Sequence, residues 1–469
     1  MTKRSVKLSI TIKVCEQQEE YEREIEIKEL EESVRAVTEE IGQKVMKRGI
    51  EEVDEHIRKE IPESWQNLGT EKRTMISTAG WIQYRRHIYR DEQGVRRKPV
   101  DELLGLERYG RCSQQVEQMG AYLASESNYR EAAERMSWLL RTDVSHSGIQ
   151  RMVWKIGNQI ADDRDAEREA VFNQGASIAS GEIETQTLYG ESDGVWLHLQ
   201  REKKKSVEVR VATMYTGKEM IGKQRYKLKN KCSVVAVGLN SQAWQEELLK
   251  TAHQAYRLES VERLVTGGDG NSWVRRSYQR FGIPQEYLLD RFHLARAARG
   301  ALRNRAQARA TLEVIRTQGY AAVAPFLQAR IEQADGNQQA QLVDFFNYLR
   351  HNQDSLLDLE HRPNGQKSGN LGAIEGNVDK LVVRRMKGRG RSWKLRGIRG
   401  MLAICQARTQ LRQLAFQRSP KMLTKNHSLR RQRLSVTYVE KCQKSMPVFS
   451  GPHQSRPWVQ SLRRYVHNQ

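Results

Sequence analysis

Apolar and polar residues alternate through residues 5–14, with Val6, Leu8, Ile10, Ile12 and Val14 on one side, and this period of two predicts a β-strand. Over residues 20–61 the spacing lengthens to three and four. Leu30, Val34, Val37, Ile41 and Val45 then line one face of an amphipathic helix that Pro62 ends. Alternation returns in residues 73–89, broken at Ala79-Gly80, and predicts a small hairpin. Its Arg85, Arg86 and Arg90, beside Tyr84 and Tyr89, either grip phosphates or guard a sheet edge against aggregation. Residues 115–157 are helical in pattern. Within them a short helix over 128–136 and a connector over 140–144 lead to Ser145, an N-cap, and an apolar stripe of Ile149, Val153 and Ile156. This is helix-turn-helix grammar, with His146, Ser147, Gln150 and Arg151 turned outward to a major groove; the plainer reading is an ordinary helical pair.

The middle of the chain is organised around Asp193. Leu188, Val195, Leu197 and Leu199 form an apolar strand with this acid inside it, flanked by Gly190 and Gly194, and Val207, Val209 and Val211 form its hairpin partner. A third strand over 232–237 follows, then a helix from Ser241 to about Tyr256. A fourth strand, Leu264-Val265-Thr266, ends at Gly267-Gly268-Asp269-Gly270. A helix over 271–281 and a strand over 286–290 complete a β-β-β, then α-β-α-β series, which predicts an α/β domain with one mixed sheet. Residues 292–359 show helical spacing alone and read as an insertion into that domain. Glu375 then opens a helix carrying Leu381, Val382 and Arg385, and after Gly388-Arg389-Gly390-Arg391 a second basic helix runs to about Phe416. The divisions that follow are 1–66 (strand and acidic helix), 67–180 (hairpin and helix-turn-helix), 181–292 (first part of the sheet domain), 293–366 (helical insertion), 367–416 (the Glu375 helix and its neighbour) and 417–469 (basic tail).

Charge narrows the class of partner. The 469 residues hold 79 Lys and Arg against 57 Asp and Glu, a formal charge of +22, so a polyanion is the expected partner and nucleic acid is favoured over a membrane. After Glu375 the only acids are Asp379 and Glu440, so the basic character concentrates at one end. No apolar run is long enough to cross a bilayer, and residues 1–20 lack a signal-peptide core. The five cysteines form no CxxC pair, which speaks against a disulfide framework or zinc knuckle and fits a reducing cytoplasm.

An acid inside a buried strand is costly unless it is hydrogen-bonded or binds a cation. Asp193, Asp269 and Glu375 each sit beside glycine on separate elements. Converging carboxylates of this kind suit Mg²⁺ or Mn²⁺, two of which about 4 Å apart activate a water or 3′-hydroxyl and stabilise the leaving oxygen. Taken singly, each acid is equally well a turn former or a helix-start residue.

These elements and motifs resemble the DDE transposases of bacterial insertion sequences, nearest to the ISLre-type family and more distantly to the Mutator-like transposases. The resemblance runs from the Glu-rich N-terminus to about Phe416. It rests on Asp101-Glu102-Leu103-Leu104-Gly105-Leu106, the helix-turn-helix of 129–154, Ser192-Asp193-Gly194, Gly268-Asp269-Gly270, Asp290-Arg291-Phe292-His293 and the Glu375 helix. It implies an RNase H-like catalytic fold with a helical insertion between the second Asp and the Glu, and Asp193, Asp269 and Glu375 as a metal-binding triad. It also implies that His293 lies near the active site and the transferred strand, where a lone His at a helix start is otherwise a cap or packing residue. The activity so implied is binding of terminal inverted repeats, metal-dependent strand cleavage and transfer to target DNA, by a homodimer or larger assembly in the cytoplasm, at the nucleoid. Arg384, Arg385, Lys387, Arg389 and Arg391 are expected to hold phosphates and set the salt dependence. Two other readings compete: a non-catalytic DNA-binding regulator or disabled transposase, and an RNase H-like nuclease without strand transfer.

Overall fold

The computed structural model describes residues 5–14, 17–26, 30–108, 110–223, 225–362, 371–388 and 390–415. Arg389 and the tail over 417–469 therefore lie outside the described residues. Strands β1 (Ser5–Val14) and β2 (Gln17–Glu26) pair antiparallel along their whole length. β2 corrects the helix expected from Glu20: these ten residues ladder onto β1, and helix α1 (Leu30–Glu60) starts only afterwards, ending before Pro62 as predicted.

β3 (Gln66–Ser77) and β4 (Gly80–Arg90) form the expected hairpin, with Gly80 at φ +97° in the turn; β5 (Arg96–Arg97) and helix α2 (Pro99–Leu103) follow. Arg86 does neither job foreseen for it. It is buried with Arg73 against Asp101, at 2.8 and 2.6 Å, and the Tyr84 hydroxyl donates to the same carboxylate at 2.9 Å. Arg85 and Arg90 remain exposed.

α3 (Gln114–Glu126), α4 (Tyr129–Leu140) and α5 (His146–Gln174) each begin on a capping side chain, Ser113, Asn128 and Ser145, which accepts bonds from first-turn N–H groups. Ile149 and Val153 are fully buried, as the apolar stripe predicts, and Ile156 partly so. α5 is 29 residues long, and its second half leaves its two neighbours to pack elsewhere.

β6 (Thr187–His198) and β7 (Ser206–Tyr215) make the predicted hairpin. A second hairpin, β8 (Gly217–Gly222) with β9 (Arg225–Lys229), precedes β10 (Cys232–Val237); it escapes the pattern because both its faces are largely exposed. α6 (Ser241–Ala255) is capped by Asn240, one residue before the predicted Ser241. β11 (Arg263–Gly268) is followed by α7 (Ser272–Arg276) and a 3₁₀ turn (Gln279–Phe281) in place of one continuous helix, and then by β12 (Gln285–Leu289).

Five strands form a mixed sheet in the order β10-β7-β6-β11-β12. β10, β7 and β6 run antiparallel to their neighbours, and β6, β11 and β12 run parallel. The fold is thus α/β with one mixed sheet, as the strand–helix series predicts.

Helices α8 (Arg291–Leu302), α9 (Arg305–Gln318), α10 (Tyr320–Gln333) and α11 (Gly336–His351) close around their own core of Leu294, Ile315, Leu327, Leu342, Phe345 and Leu349. The chain then returns to the sheet as α12 (Ile374–Val378), a π turn (Asp379–Val383) and α13 (Arg384–Met386), followed by α14 (Leu395–Gln406) and α15 (Arg408–Ala415).

One face of the sheet, carrying Val195, Leu197, Val209 and Val211, shares a continuous core with α3, α4, α5, α12 and α14. The other face packs Leu188, Ala212 and Met214 against Trp244, Leu248 and Tyr278. α5 meets α14 at Gly157 and Gly400, where a Cβ on Gly157 would stand 2.3 Å from the Gly400 carbonyl oxygen. Only glycine permits that approach. Among the described residues no helix is long and apolar enough to cross a membrane.

Candidate functional site

Strand register decides which acids meet. Glu191 on β6 pairs with Gly267 on β11, and Gly268 on β11 pairs with Leu289 on β12. Side chains return to the same face every second residue, so Asp193 and Asp269, each two residues past the first pair, stand level on neighbouring parallel strands. Asp290 follows Leu289 as Asp269 follows Gly268, and its N–H continues the ladder to the Gly268 carbonyl at 2.7 Å. Three carboxylates thus share one level and one face, on strands spaced about 4.8 Å apart.

Their electrostatics agree with that placement. Burial above all pushes the Asp193 carboxyl up to about 6, the charges of Asp269 and Asp290 push the same way, and the Gly194 N–H (2.7 Å) and His293 pull against them. Asp290 caps α8, accepting from the N–H groups of Phe292 and His293 at 2.6 and 3.1 Å. Burial raises its carboxyl, but the His293 ring and these N–H groups together leave it below its usual value. His293 is half-buried, its Nδ1 3.6 Å from the Asp290 carboxylate, an ion-pair separation slightly too long for a hydrogen bond. That carboxylate chiefly, with Asp193 and Asp269 adding, raises the imidazole pKa against the effect of burial. The histidine therefore favours its cationic form beside three acids.

Glu375 comes from elsewhere in the chain, and a second acid brings it. Glu191, buried on β6 two residues before Asp193, accepts from the backbone N–H of Gly372 (2.7 Å), Ala373 (2.9 Å) and Ile374 (3.3 Å) and from the Tyr215 hydroxyl (2.6 Å). The first turn of α12 is thereby fastened to the strand that carries Asp193. Leu371 lies over Gly267, where a Cβ would come within 2.6 Å of it. Glu375 itself is exposed. With Glu191, Gly267, Asp290 and Phe292 it lines a cavity of about 300 Å³. Asp193 and Asp269 are not in that lining, so the cavity borders the acid cluster rather than enclosing it.

Sequence reasoning missed Glu191, although its position two residues from Asp193 places it on the same strand face. Asp290 belongs to the Asp290-x-x-His293 motif, but nothing local in the sequence marks its carboxylate as level with Asp193 and Asp269.

The expected DNA contacts divide. His146, Ser147 and Arg151 are exposed on the first turns of α5, and Gln150 is half-buried beside them. Arg384 is exposed and paired with Asp379 at 2.6 Å, and Lys387 is exposed. Arg391 is exposed but spends its guanidinium on the carbonyls of Arg384 and Arg385, at 2.9 and 3.0 Å, closing the end of α13. Arg389 lies outside the described residues.

Arg385 requires correction as a phosphate ligand. It is buried between the rings of Tyr129 and Trp393, 5.1 Å from each centroid, with its Nε donating to the Ala124 carbonyl, and burial lowers its pKa. It locks the Glu375 segment to α3 and α4. Arg385→Ala should destabilise the protein by about 2 kcal/mol, through lost packing and an orphaned carbonyl, in urea unfolding. Should the chain bind DNA, as its sequence leads one to expect, the salt dependence of that binding is expected to stay that of the wild type; a flatter dependence in a folded variant would restore Arg385 as a phosphate contact.

The uncharacterised protein family UPF0236 matches residues 21–418 of the chain. A UPF0236 protein of Streptococcus gallolyticus, named for the vanSb 3′ region, is 24% identical over 391 residues, covering 81% of this chain and 82% of the relative. A UPF0236 protein of Caldanaerobacter subterraneus subsp. tengcongensis, whose name joins eleven locus designations, is 24% identical over 271 residues. That match spans 57% of this chain and 54% of the relative, about half its length. Another from the same organism, joining four designations, is 23% identical over 271 residues with the same coverage of each chain.

Proposed function

Because the chain belongs to the uncharacterised protein family UPF0236, whose name states no activity, we propose a function from its own geometry: a DDE-type DNA transposase. It binds terminal inverted repeats, cleaves strands at the element's ends with a divalent metal and joins the 3′-hydroxyls to target DNA. The observation that carries this reading is the level row formed by Asp193 on β6 and by Asp269 and Asp290 just past the ends of β11 and β12, to which Glu191 fastens the segment bearing Glu375.

The donor type suits Mg²⁺ or Mn²⁺, but the proposed ligands do not converge in this structure: among the described residues, Asp358, Glu360 and His361 are the group whose ligand atoms lie within 4.8 Å of one another. The proposed donors are hard carboxylate oxygens, and Asp193 is held at a raised pKa partly by its acidic neighbours, a repulsion that a cation relieves. Asp193, Asp269 and Glu375 would hold the ions, with Asp290 at hand. Bound there, divalent cations lower the pKa of the attacking water or 3′-hydroxyl and stabilise the leaving oxygen. The chain's own part is to fix the carboxylates at the ends of rigid strands, to keep Asp193 partly shielded from water and to hold the His293 imidazole, whose pKa its acidic neighbours raise, where a ring N–H could donate to a phosphate oxygen.

Further features support the same reading. Three antiparallel strands followed by two parallel ones, with four helices inserted before the Glu375 segment, suit an RNase H-like catalytic domain. The α4–α5 pair, with His146, Ser147 and Arg151 exposed, suits a helix-turn-helix, and the net charge of +22 suits a polyanionic substrate. Relatives carrying one name for eleven loci or four are what a self-copying gene would leave in a genome. On this reading the nearest type is ISLre, with Mutator-like transposases more distant. The assembly on paired ends is a homodimer or larger, and the working place is the cytoplasm, at the nucleoid.

The test is cleavage of duplex DNA carrying the flanks of the chain's own gene, with Mg²⁺, Mn²⁺ or EDTA, and with a target plasmid present. Metal-dependent cuts at the repeat ends together with joined products are the expected result. Cuts without joined products would make the protein a nuclease. Tight binding with no cuts under any metal would make it a regulator or disabled transposase.

A further inference from the structure

β8 and β9 form a two-stranded ribbon that joins no larger sheet among the described residues. Such a ribbon is marginal in water on its own, yet its apolar side chains face outward: Met220, Ile221 and Tyr226 are 66%, 62% and 61% exposed. The register shifts between Met220 and Gly222, which displaces Ile221 from the ladder near the tip. Exposed cations Lys223, Arg225, Lys227 and Lys229 lie on the same ribbon; the register sets Tyr226 across from Met220 and Lys227 across from Glu219, the ribbon's sole acid, so Arg225, Lys227 and Lys229 take the face opposite Met220 and Tyr226. None of the four cations has an ion-pair partner among the described residues.

The root, by contrast, is firmly held, and it is held beside the candidate site. Lys218 donates to the Leu371 carbonyl at 3.4 Å with its ammonium over the Tyr215 ring, and Lys231 donates to Asn377 at 3.1 Å. Leu371 and Asn377 bracket Glu375 in sequence. The Tyr256 hydroxyl donates to the Asn230 carbonyl at 2.6 Å, and the Thr216 N–H to the Lys229 carbonyl at 3.1 Å. A ribbon strand of five or six residues reaches roughly 17–20 Å, enough to extend from the site across a DNA groove.

We infer that the β8–β9 ribbon is a DNA arm, laying Lys223, Arg225, Lys227 and Lys229 on phosphates next to the acid cluster and inserting Met220, Ile221 or Tyr226 at a base step. The occupant follows from charge complementarity together with the apolar tip. Duplex DNA offers a line of phosphates and, between its bases, an apolar interior that such wedges enter when they kink a groove. The inference rests on the DNA reading above and adds to it a contact surface outside the helix-turn-helix.

Full-length protein and labelled duplexes, with 2-aminopurine at successive steps, provide the test. Replacing Lys223, Arg225, Lys227 and Lys229 by Ala should lower the slope of log affinity against log salt by about 2–4. Replacing Met220, Ile221 and Tyr226 by Ser should keep the slope, lower affinity about tenfold and abolish the fluorescence rise at the unstacked step. These side chains are exposed, and unchanged thermal unfolding confirms that the variants fold. Wild-type protein that fails to bind duplex DNA would sink the underlying DNA reading. Wild-type protein that binds, with both variants indistinguishable from it, would overturn the ribbon alone. So would variants that keep DNA affinity but lose self-association, since the ribbon would then contact a second copy.

Discussion

Asp193→Asn should abolish metal-dependent cleavage, by at least about 10³-fold, while leaving affinity for the element ends within a few-fold of wild type. Asn keeps the shape and still offers an oxygen to the Gly194 N–H, but it removes the charge a divalent ion needs. The same change should not weaken the fold. In the absence of metal, burial and the charges of Asp269 and Asp290 hold the Asp193 pKa at about 6, above its usual range. A carboxyl whose folded-state pKa is raised penalises the native state once it ionises. That penalty grows as pH climbs from the unfolded-state value through about 6 and is fully present at neutral pH. After allowance for partial solvent access it is about 1–2 kcal/mol. Metal-free Asp193→Asn protein should therefore match or exceed wild-type stability at pH 8 and lose that advantage near pH 4. Wild-type cleavage rates in the variant would remove Asp193 from the reaction. A large stability loss at pH 8 would show that its carboxylate is a structural partner instead.

Glu191→Ala should be the second most damaging change, although Glu191 lies behind the site rather than in it. Its carboxylate holds three consecutive backbone N–H groups at the start of α12 and one tyrosine hydroxyl. Without it the N–H groups lose their acceptor and Glu375 loses its fixed distance from Asp193. Removing such a supporting group costs about 10–100-fold in metal affinity or activity, so the Mn²⁺ needed for half-maximal cleavage should rise by that factor. Glu191→Gln retains one acceptor oxygen, and the Tyr215 hydroxyl can accept from its amide, so it should recover much of the loss. Metal titration of cleavage separates positioning from bulk stability. A Glu191→Ala protein that cuts at wild-type metal concentrations, however low its melting temperature, would reduce Glu191 to a structural role.

Much of the fold is legible from local pattern alone. A period of two over residues 5–14, 195–199 and 207–211, and steps of three and four over α1, α5 and the insertion, specify elements because alternation and helical pitch decide which residues an element can bury. Capping followed equally local chemistry at Ser145. Pattern failed where pairing, not propensity, chose the state. Residues 20–26 are Glu-rich and read as the start of a helix, yet a neighbouring strand ten residues long recruits them, with 17–19, into a ladder. The β8–β9 ribbon buries neither face and so leaves no periodic trace.

The sequence by itself determined that Asp193 would sit within a strand and Asp269 at a strand's end, each beside glycine, and that the chain would be strongly basic, because both are properties of neighbouring residues or of simple sums. Only the tertiary structure decided who stands next to whom. Parallel register sets Asp193, Asp269 and Asp290 level, and Glu191 reaches about 180 residues along the chain to fasten α12. The ring of Tyr129, 256 residues earlier in the chain, joins that of the nearby Trp393 to enclose Arg385, which composition alone would leave on the surface. Such partners are chosen by packing between elements far apart in sequence, and no local period records that choice.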